Sequence, residues 1–202
     1  MIPKPGQRLL ATVLFAATFA ALPQSASAHI VKGEAIGFVS GFLHPISGWD
    51  HIIAMVAVGI WGAQLGRPAI WALPVTFPLI MAVGGFLGLV GLKAPGSEIA
   101  IALSGVCLGA AVAFEWRPPL PAAAILVGLF GLAHGYAHGA ELPPGQNALL
   151  YSFGFVLATG LLHAAGIMIG LVHRWPMGRQ ALRIAGALIT CGGGFFLWTA
   201  LT

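Results

Sequence analysis

The sequence HPISGWDH, which runs from His44 to His51, decides how this 202-residue chain is interpreted. It places two imidazoles and the carboxylate of Asp50 inside a long apolar stretch. Ionisable groups cost about 2.5–3.5 kcal/mol each at bilayer depth on insertion scales, so they usually mark a site or a pathway. Imidazole and carboxylate are also ligands of divalent first-row metals. We therefore expect the rest of the chain to build a membrane cavity around this octapeptide.

Composition indicates an integral membrane protein. Hydrophobic residues make up 58% of the chain and charged residues only 7%, whereas soluble domains carry roughly 25% charged residues. The 29 glycines agree with close contacts between transmembrane helices. The small net charge of +4 gives no reason to expect nucleic acid as a partner. Cys107 and Cys191 stand alone in apolar runs, so no thiolate metal site is predicted.

Residues 1–28 are predicted to be a cleaved secretory signal peptide. Lys4 and Arg8 precede an apolar core that is too short for a membrane span of about 20 residues, and an A-x-A cleavage site ends at Ala28. An uncleaved anchor helix is the alternative. Cleavage would make His29 the first mature residue, with an amine and an imidazole that are candidates for metal binding.

Six apolar segments follow and are predicted to form one transmembrane domain over residues 29–202. The loops between them are short and rich in proline and glycine, which favours antiparallel neighbours in a compact bundle. The predicted fold class is therefore all-α, a polytopic bundle of six transmembrane helices. The segments are residues 35–65, 69–92, 97–114, 120–139, 147–172 and 181–201.

The basic residues predict the orientation of the bundle. A cleaved signal peptide leaves the mature N-terminus outside, and the loops then alternate between the two sides. Five arginines would lie inside and two lysines outside, in agreement with the positive-inside rule. We therefore expect a multi-pass protein of the bacterial inner membrane with both mature termini outside. The basic residues are Arg67, Arg117, Arg174, Arg179 and Arg183 inside, and Lys32 and Lys93 outside.

The first segment, residues 35–65, is too long for a straight span. As one helix it would reach about 46 Å, whereas the hydrocarbon core is about 30 Å thick. On that straight helix His44 and His51 would lie about 10 Å apart along the axis, too far to share one small cation. We predict either a kink at Pro45 or a helix restart at Ser47 with a capping box. Either the Pro45–Gly48 stretch unwinds and brings the two histidines together, or they serve successive positions.

A second motif, AHGYAHGAE at residues 133–141, carries two more histidines. His134, His138 and Glu141 follow an i, i+4, i+7 spacing that places them on one helical face, and such histidine pairs suit a single metal. We expect the glycines to open space beside the imidazoles. Asp50 is either a ligand or the carboxylate that orients an imidazole. The candidate metal residues are therefore His44, Asp50, His51, His134, His138 and Glu141. A buried hydrogen-bonded network without metal is the alternative.

Three further residues are candidates for a secondary path. His163 lies deep in the fifth segment, Glu115 ends the third segment at the predicted inner side, and His29 begins the mature chain. With the two motifs they would trace polar groups across the membrane.

The two motifs together resemble the HupE/UreJ family of nickel/cobalt permeases. The resemblance rests on HPxSGxDH at 44–51 and HGxAHGxE at 134–141, and it extends over nearly the whole chain. It implies secondary uptake of Ni²⁺ or Co²⁺ as substrate, with no resident cofactor and no enzymatic activity, often to supply hydrogenase or urease. The six motif residues would then be the functional ones. One departure is Ala133, where the family pattern has an aromatic residue.

Two other classes of function use the same residues. A membrane zinc hydrolase would activate water on a His/Asp-bound ion, with Glu141 or Glu115 as general base. A haem electron carrier would take axial histidines from facing helices. The sequence leaves open the preferred ion, the energy coupling, a homo-oligomeric state, and whether the two motifs form one site or successive sites.

Overall fold

The structure is a computed structural model that describes residues 36–142 and 145–202. The signal peptide predicted for residues 1–28 and the candidate residue His29 therefore lie outside the described residues. The described parts contain seven α-helices, one short 3₁₀ helix and no strand. The helices are α1 Ile36–Ser47, α2 Trp49–Leu65, α3 Ala69–Leu89, α4 Ser97–Ala113, α5 Leu120–Ala140, α6 Ala148–Gly170 and α7 Pro176–Leu201, and the 3₁₀ helix is Leu171–Arg174.

The helices confirm an all-helical, multi-pass architecture. Helices α3, α5, α6 and α7 are long and apolar enough to cross a membrane, and the pair α1–α2 adds a fifth crossing if the two count as one broken span. Helix α4 is apolar but has only 17 residues, about 26 Å at 1.5 Å per residue. These elements fall where the six segments were predicted, while the count of six crossings stays a prediction.

The first segment breaks at Gly48, inside the Pro45–Gly48 stretch whose unwinding was one predicted alternative, but the break is neither a kink at Pro45 nor a helix restart at Ser47. Pro45 lies within α1 and does not end it. The Ser47 hydroxyl donates to the carbonyl of Leu43 at 2.7 Å, so it completes α1 and leaves the start of α2 uncapped. Gly48 is extended, with φ −96° and ψ 119°, and the helices on either side of it differ in direction by 80°.

Helix α2 lies at the centre of the bundle, with its residues from Ile53 to Gln64 almost entirely buried. It contacts α6, α4 and α3. At its C-terminal end the Trp61 indole donates to the carbonyl of Trp116 at 2.9 Å, which fixes the ends of α2 and α4 side by side. Glu115 and Arg179 form an ion pair of 3.4 Å at the same end. The loops carrying most of the predicted inner arginines therefore lie together.

Glycines set the most extensive helix contact, which joins α3 and α5. A Cβ on Gly135 would collide with the carbonyl oxygen of Met81, and one on Gly139 would collide with that of Gly85. Our expectation that these glycines open space beside the imidazoles is therefore wrong. Their missing side chains let the backbone of α5 lie directly against α3, as small residues do at transmembrane interfaces.

Candidate metal site

The bend at Gly48 brings the two histidines of the first motif together. The ring centroids of His44 and His51 are 6.2 Å apart, although seven residues of straight helix would separate them by about 10 Å along the axis. His51 is buried and His44 is half-buried. Both imidazoles therefore face one region at the start of α2.

Helix α5 adds the two histidines of the second motif to the same region. His138 lies with its ring centroid 4.6 Å from that of His44 and 4.5 Å from that of His51. His134, one turn earlier, lies 5.1 Å from His51. The i, i+4 spacing places both rings on one face of α5, as the sequence predicted, and this face meets the first motif, which the sequence left open. We call these four side chains the outer cluster.

Asp50 lies where it orients His51. Its Oδ1 is 3.0 Å from Nδ1 of His51, while Nε2 of His51 meets Nε2 of His138 in a buried hydrogen bond. A carboxylate that holds one ring nitrogen fixes which nitrogen offers its lone pair, an arrangement common behind metal-binding imidazoles. Of the two roles considered for Asp50, this geometry matches the orienting one.

His134 is held in one tautomer by its own helix. Its Nδ1 donates to the carbonyl of Phe130 at 2.8 Å, so Nε2 carries the free lone pair. The His134 ring is fully buried, and Nε2 has no hydrogen-bond partner among the described residues. Buried polar atoms are rarely left unpaired. His134 therefore offers a nitrogen lone pair that a cation would satisfy.

Aromatic rings enclose the outer cluster. Phe155 of α6 packs against His138 at 4.7 Å between ring centroids. Phe77 of α3 lies 5.3 Å from His134 and 5.4 Å from His163. Although Ala133 stands where the family pattern has an aromatic residue, His134 still has an aromatic neighbour, which is Phe77 of α3. Phe77 was not predicted, because nothing in its local sequence indicates contact with two histidines.

The outer cluster is not arranged as a finished coordination shell. Within residues 36–142 and 145–202, no three His, Cys, Asp or Glu side chains are placed to hold one ion. His51 and His138 bond to each other, so their nitrogens do not point at a common empty position. Glu141 follows the last residue of α5 and is exposed, and no hydrogen bond or ion pair joins it to these imidazoles in the described structure.

Comparison with known proteins adds independent information. The family model described as "HupE / UreJ protein" matches residues 17–196. The chain belongs to the HupE/UreJ family. A curated relative, "Protein HupE" of Rhizobium leguminosarum bv. viciae, is 45% identical over 177 residues, which cover 88% of this chain and 92% of that protein. No solved structure matches the chain.

An open cavity of about 320 Å³ lies beside the outer cluster of this HupE/UreJ chain, and Asp50, which contacts His51, forms part of its wall. Asp50 and Glu98 line it, together with Phe196 and Thr199 near the end of α7. Glu98 was not predicted as a site residue, because it lies in the first turn of α4, where a carboxylate is commonplace. Glu98 becomes a candidate site residue only because it lines the same cavity as Asp50 of the first motif.

The remaining path residues of the HupE/UreJ chain lie apart from the outer cluster. Glu115 is engaged by Arg179 at the opposite end of α2 from His51. His163 is buried in α6 behind Phe77. The structure therefore brings together the four motif histidines and Asp50, and leaves Glu141, Glu115 and His163 outside this contact.

Proposed function

We propose that the protein is a secondary transporter that takes up a divalent transition-metal cation, Ni²⁺ or Co²⁺, across the bacterial inner membrane. One observation carries the proposal: four imidazoles from three helices meet inside an apolar bundle, next to a carboxylate. Such groups are costly at membrane depth and mark ion pathways. The HupE/UreJ resemblance implies the same ions, and membership of that family favours transport over hydrolysis.

The cavity provides the first step of the proposed path. Asp50 and Glu98 line it, and Asp50 is 27% exposed in its side chain, so its carboxylate is accessible from the cavity. Paired carboxylates attract a divalent cation and replace part of its hydration shell with oxygen ligands. The cation would then be passed to the buried imidazoles next to Asp50.

Binding at the outer cluster would replace a hydrogen bond. His51 and His138 are joined through their Nε2 atoms, and a cation held by both would take the place of that bond. Metal–nitrogen bonds of about 2.0–2.1 Å require the two rings to move slightly apart. In His134, Nδ1 donates to the Phe130 carbonyl, so the unpaired Nε2 is the nitrogen that is available to a cation. Because its ring also contacts that of His51, His134 is the third candidate nitrogen ligand for such a cation.

Transport should be measured as uptake of radioactive nickel and cobalt by cells that express the protein. We expect saturable uptake that disappears in the double variant Asp50→Ala/His138→Ala, provided that the variant still reaches the membrane. Normal uptake by that variant would overturn the proposal. Hydrolysis by the purified protein in detergent, without metal uptake, would favour the zinc hydrolase instead.

Orientation is a separate part of the proposal. We infer that the end of the bundle with Glu115 and Arg179 faces the cytoplasm, because the arginine-rich loops lie there. The cavity with Asp50 and Glu98 then opens to the outside, and imported metal would supply a nickel enzyme such as hydrogenase or urease. A reporter active only in the cytoplasm should be silent when fused after Thr202. Strong activity would reverse the orientation.

A further inference from the structure

Two buried polar side chains on α6 have no hydrogen-bond partner within residues 36–142 and 145–202, and both lie outside the outer cluster. His163 is 1% exposed, and neither of its ring nitrogens has a hydrogen-bond partner among the described residues. Thr159 is fully buried, and its Oγ1 is also unpaired there. The two residues are one turn apart, so they share a face of α6. Their shared face of α6 and their unpaired polar atoms therefore indicate one buried polar region.

Helix α3 supplies a third polar group beside His163. The carbonyl group of Pro74 lies next to the His163 ring, outside hydrogen-bonding geometry. Pro78, four residues later in the same helix, has no N–H, so the Pro74 carbonyl has no helical donor. A helix interior normally has no free carbonyl. Here the proline spacing leaves one beside the unpaired imidazole of His163.

Phe77 relates this region to the outer cluster. Its ring lies between two imidazoles, 5.3 Å from His134 and 5.4 Å from His163 between centroids. His163 is therefore the next imidazole beyond His134 in the direction of the C-terminal end of α2. Helices α2 and α6 are in backbone contact here, because a Cβ on Gly59 would collide with the carbonyl oxygen of His163. The region is closed to solvent.

We propose that His163, Thr159 and the Pro74 carbonyl form an inner binding station for the transported divalent cation. The inference rests on the proposed transport function and extends it. Imidazole nitrogen, hydroxyl oxygen and carbonyl oxygen are all donors that a first-row divalent cation accepts. One imidazole binds such a cation more weakly than the several of the outer cluster. Weak successive sites let an ion leave as readily as it enters.

Buried water is the competing explanation for these unpaired atoms. One or two ordered water molecules would satisfy His163 and Thr159 without any role in transport. The two explanations differ in what they predict for variants. A site that holds only water tolerates a side chain of similar size with little effect on transport, whereas an inner station does not.

The test uses the full-length protein in proteoliposomes with radioactive nickel, and measures uptake and equilibrium binding separately. His163→Gln should lower uptake about tenfold, while nickel binding at the outer cluster stays at the wild-type affinity. Thr159→Val, which keeps the shape and removes the hydroxyl, should lower uptake in the same direction. His173→Gln is the matched control, because His173 bonds to the Gly170 carbonyl at 2.9 Å near the arginine-rich end and should behave as wild type.

His163→Cys separates a metal contact from a packing role. A thiolate prefers softer ions, so this variant should shift uptake from Ni²⁺ towards Cd²⁺, and packing would not change ion preference. Wild-type rates in His163→Gln together with an unchanged preference in His163→Cys would overturn the inner station. If His163→Gln does not fold, Thr159→Val and His163→Cys decide. A wild-type protein that neither binds nor transports nickel or cobalt would instead overturn the proposed function.

Discussion

The two histidine pairs of the outer cluster reach the same place by opposite routes. His134 and His138 lie on an unbroken helix, and their separation follows from its periodicity. His44 and His51 meet only because the chain turns through 80° at Gly48. The first pair depends on the packing of α5 against α3, and the second depends on one extended residue. Damage to the first route should therefore reduce stability, and damage to the second should reduce metal binding.

His51 is the residue at which the two histidine pairs meet, so its loss should have the largest effect. Its ring contacts His44, His134 and His138, and Asp50 holds its other nitrogen. His51→Ala should weaken nickel binding about 100-fold and abolish uptake, as measured with radioactive nickel on membranes of equal protein content. Uptake near the wild-type rate would mean that the two pairs do not act together.

A substitution at the contact between α3 and α5 should lower the stability of the protein. Gly135→Ala places a Cβ on the carbonyl oxygen of Met81, and such overpacking costs about 1–3 kcal/mol. The midpoint of thermal unfolding in detergent should fall. Gly160→Ala in α6 is the matched control, because nothing lies within 4 Å of the added Cβ. Equal midpoints for the two variants would contradict the contact between α3 and α5.

A substitution at the Gly48 bend should lower the affinity for the metal ion. A Cβ on Gly48 would lie 2.7 Å from Oδ1 of Asp50 and 3.0 Å from Nδ1 of His51, so Gly48→Ala should separate that pair. Loss of a carboxylate that orients a metal-binding imidazole lowers affinity about tenfold or more, and thermal stability should change little. Gly194→Ala in α7 is the control, because nothing lies within 4 Å of the added Cβ. A loss of stability without a loss of affinity would remove the distinction between the two routes.

The smallest effect is expected at the end of the bundle that neither pair reaches. Glu115→Gln removes the ion pair with Arg179, whose side chain is 54% exposed, and exposed ion pairs contribute about 0–1 kcal/mol. Uptake and thermal stability should both stay close to wild type. A strong loss of uptake without a loss of stability would place Glu115 on the ion path that the sequence suggested.

The sequence predicted what depends on spacing within one segment. Composition and punctuation predicted apolar segments where the helices are found, and the i, i+4 rule predicted the shared face of His134 and His138. It predicted a break in the first segment but not its position or angle, because both Pro45 and Ser47 carry stronger local signals than Gly48. The sequence also did not predict which side chains of different helices contact each other. Phe77 and Glu98 are ordinary residues for their helices until packing places them beside the motifs.

The glycines at the contact of α3 and α5 have a consequence for mutational scanning. A scan scored by metal uptake would find Gly135 and Gly139 as intolerant as His134 and His138, because each substitution forces two backbones apart. The two kinds of intolerance alternate along α5 and give the same score. Only a second score for protein abundance in the membrane would separate the residues that hold the helix in place from those that handle the ion.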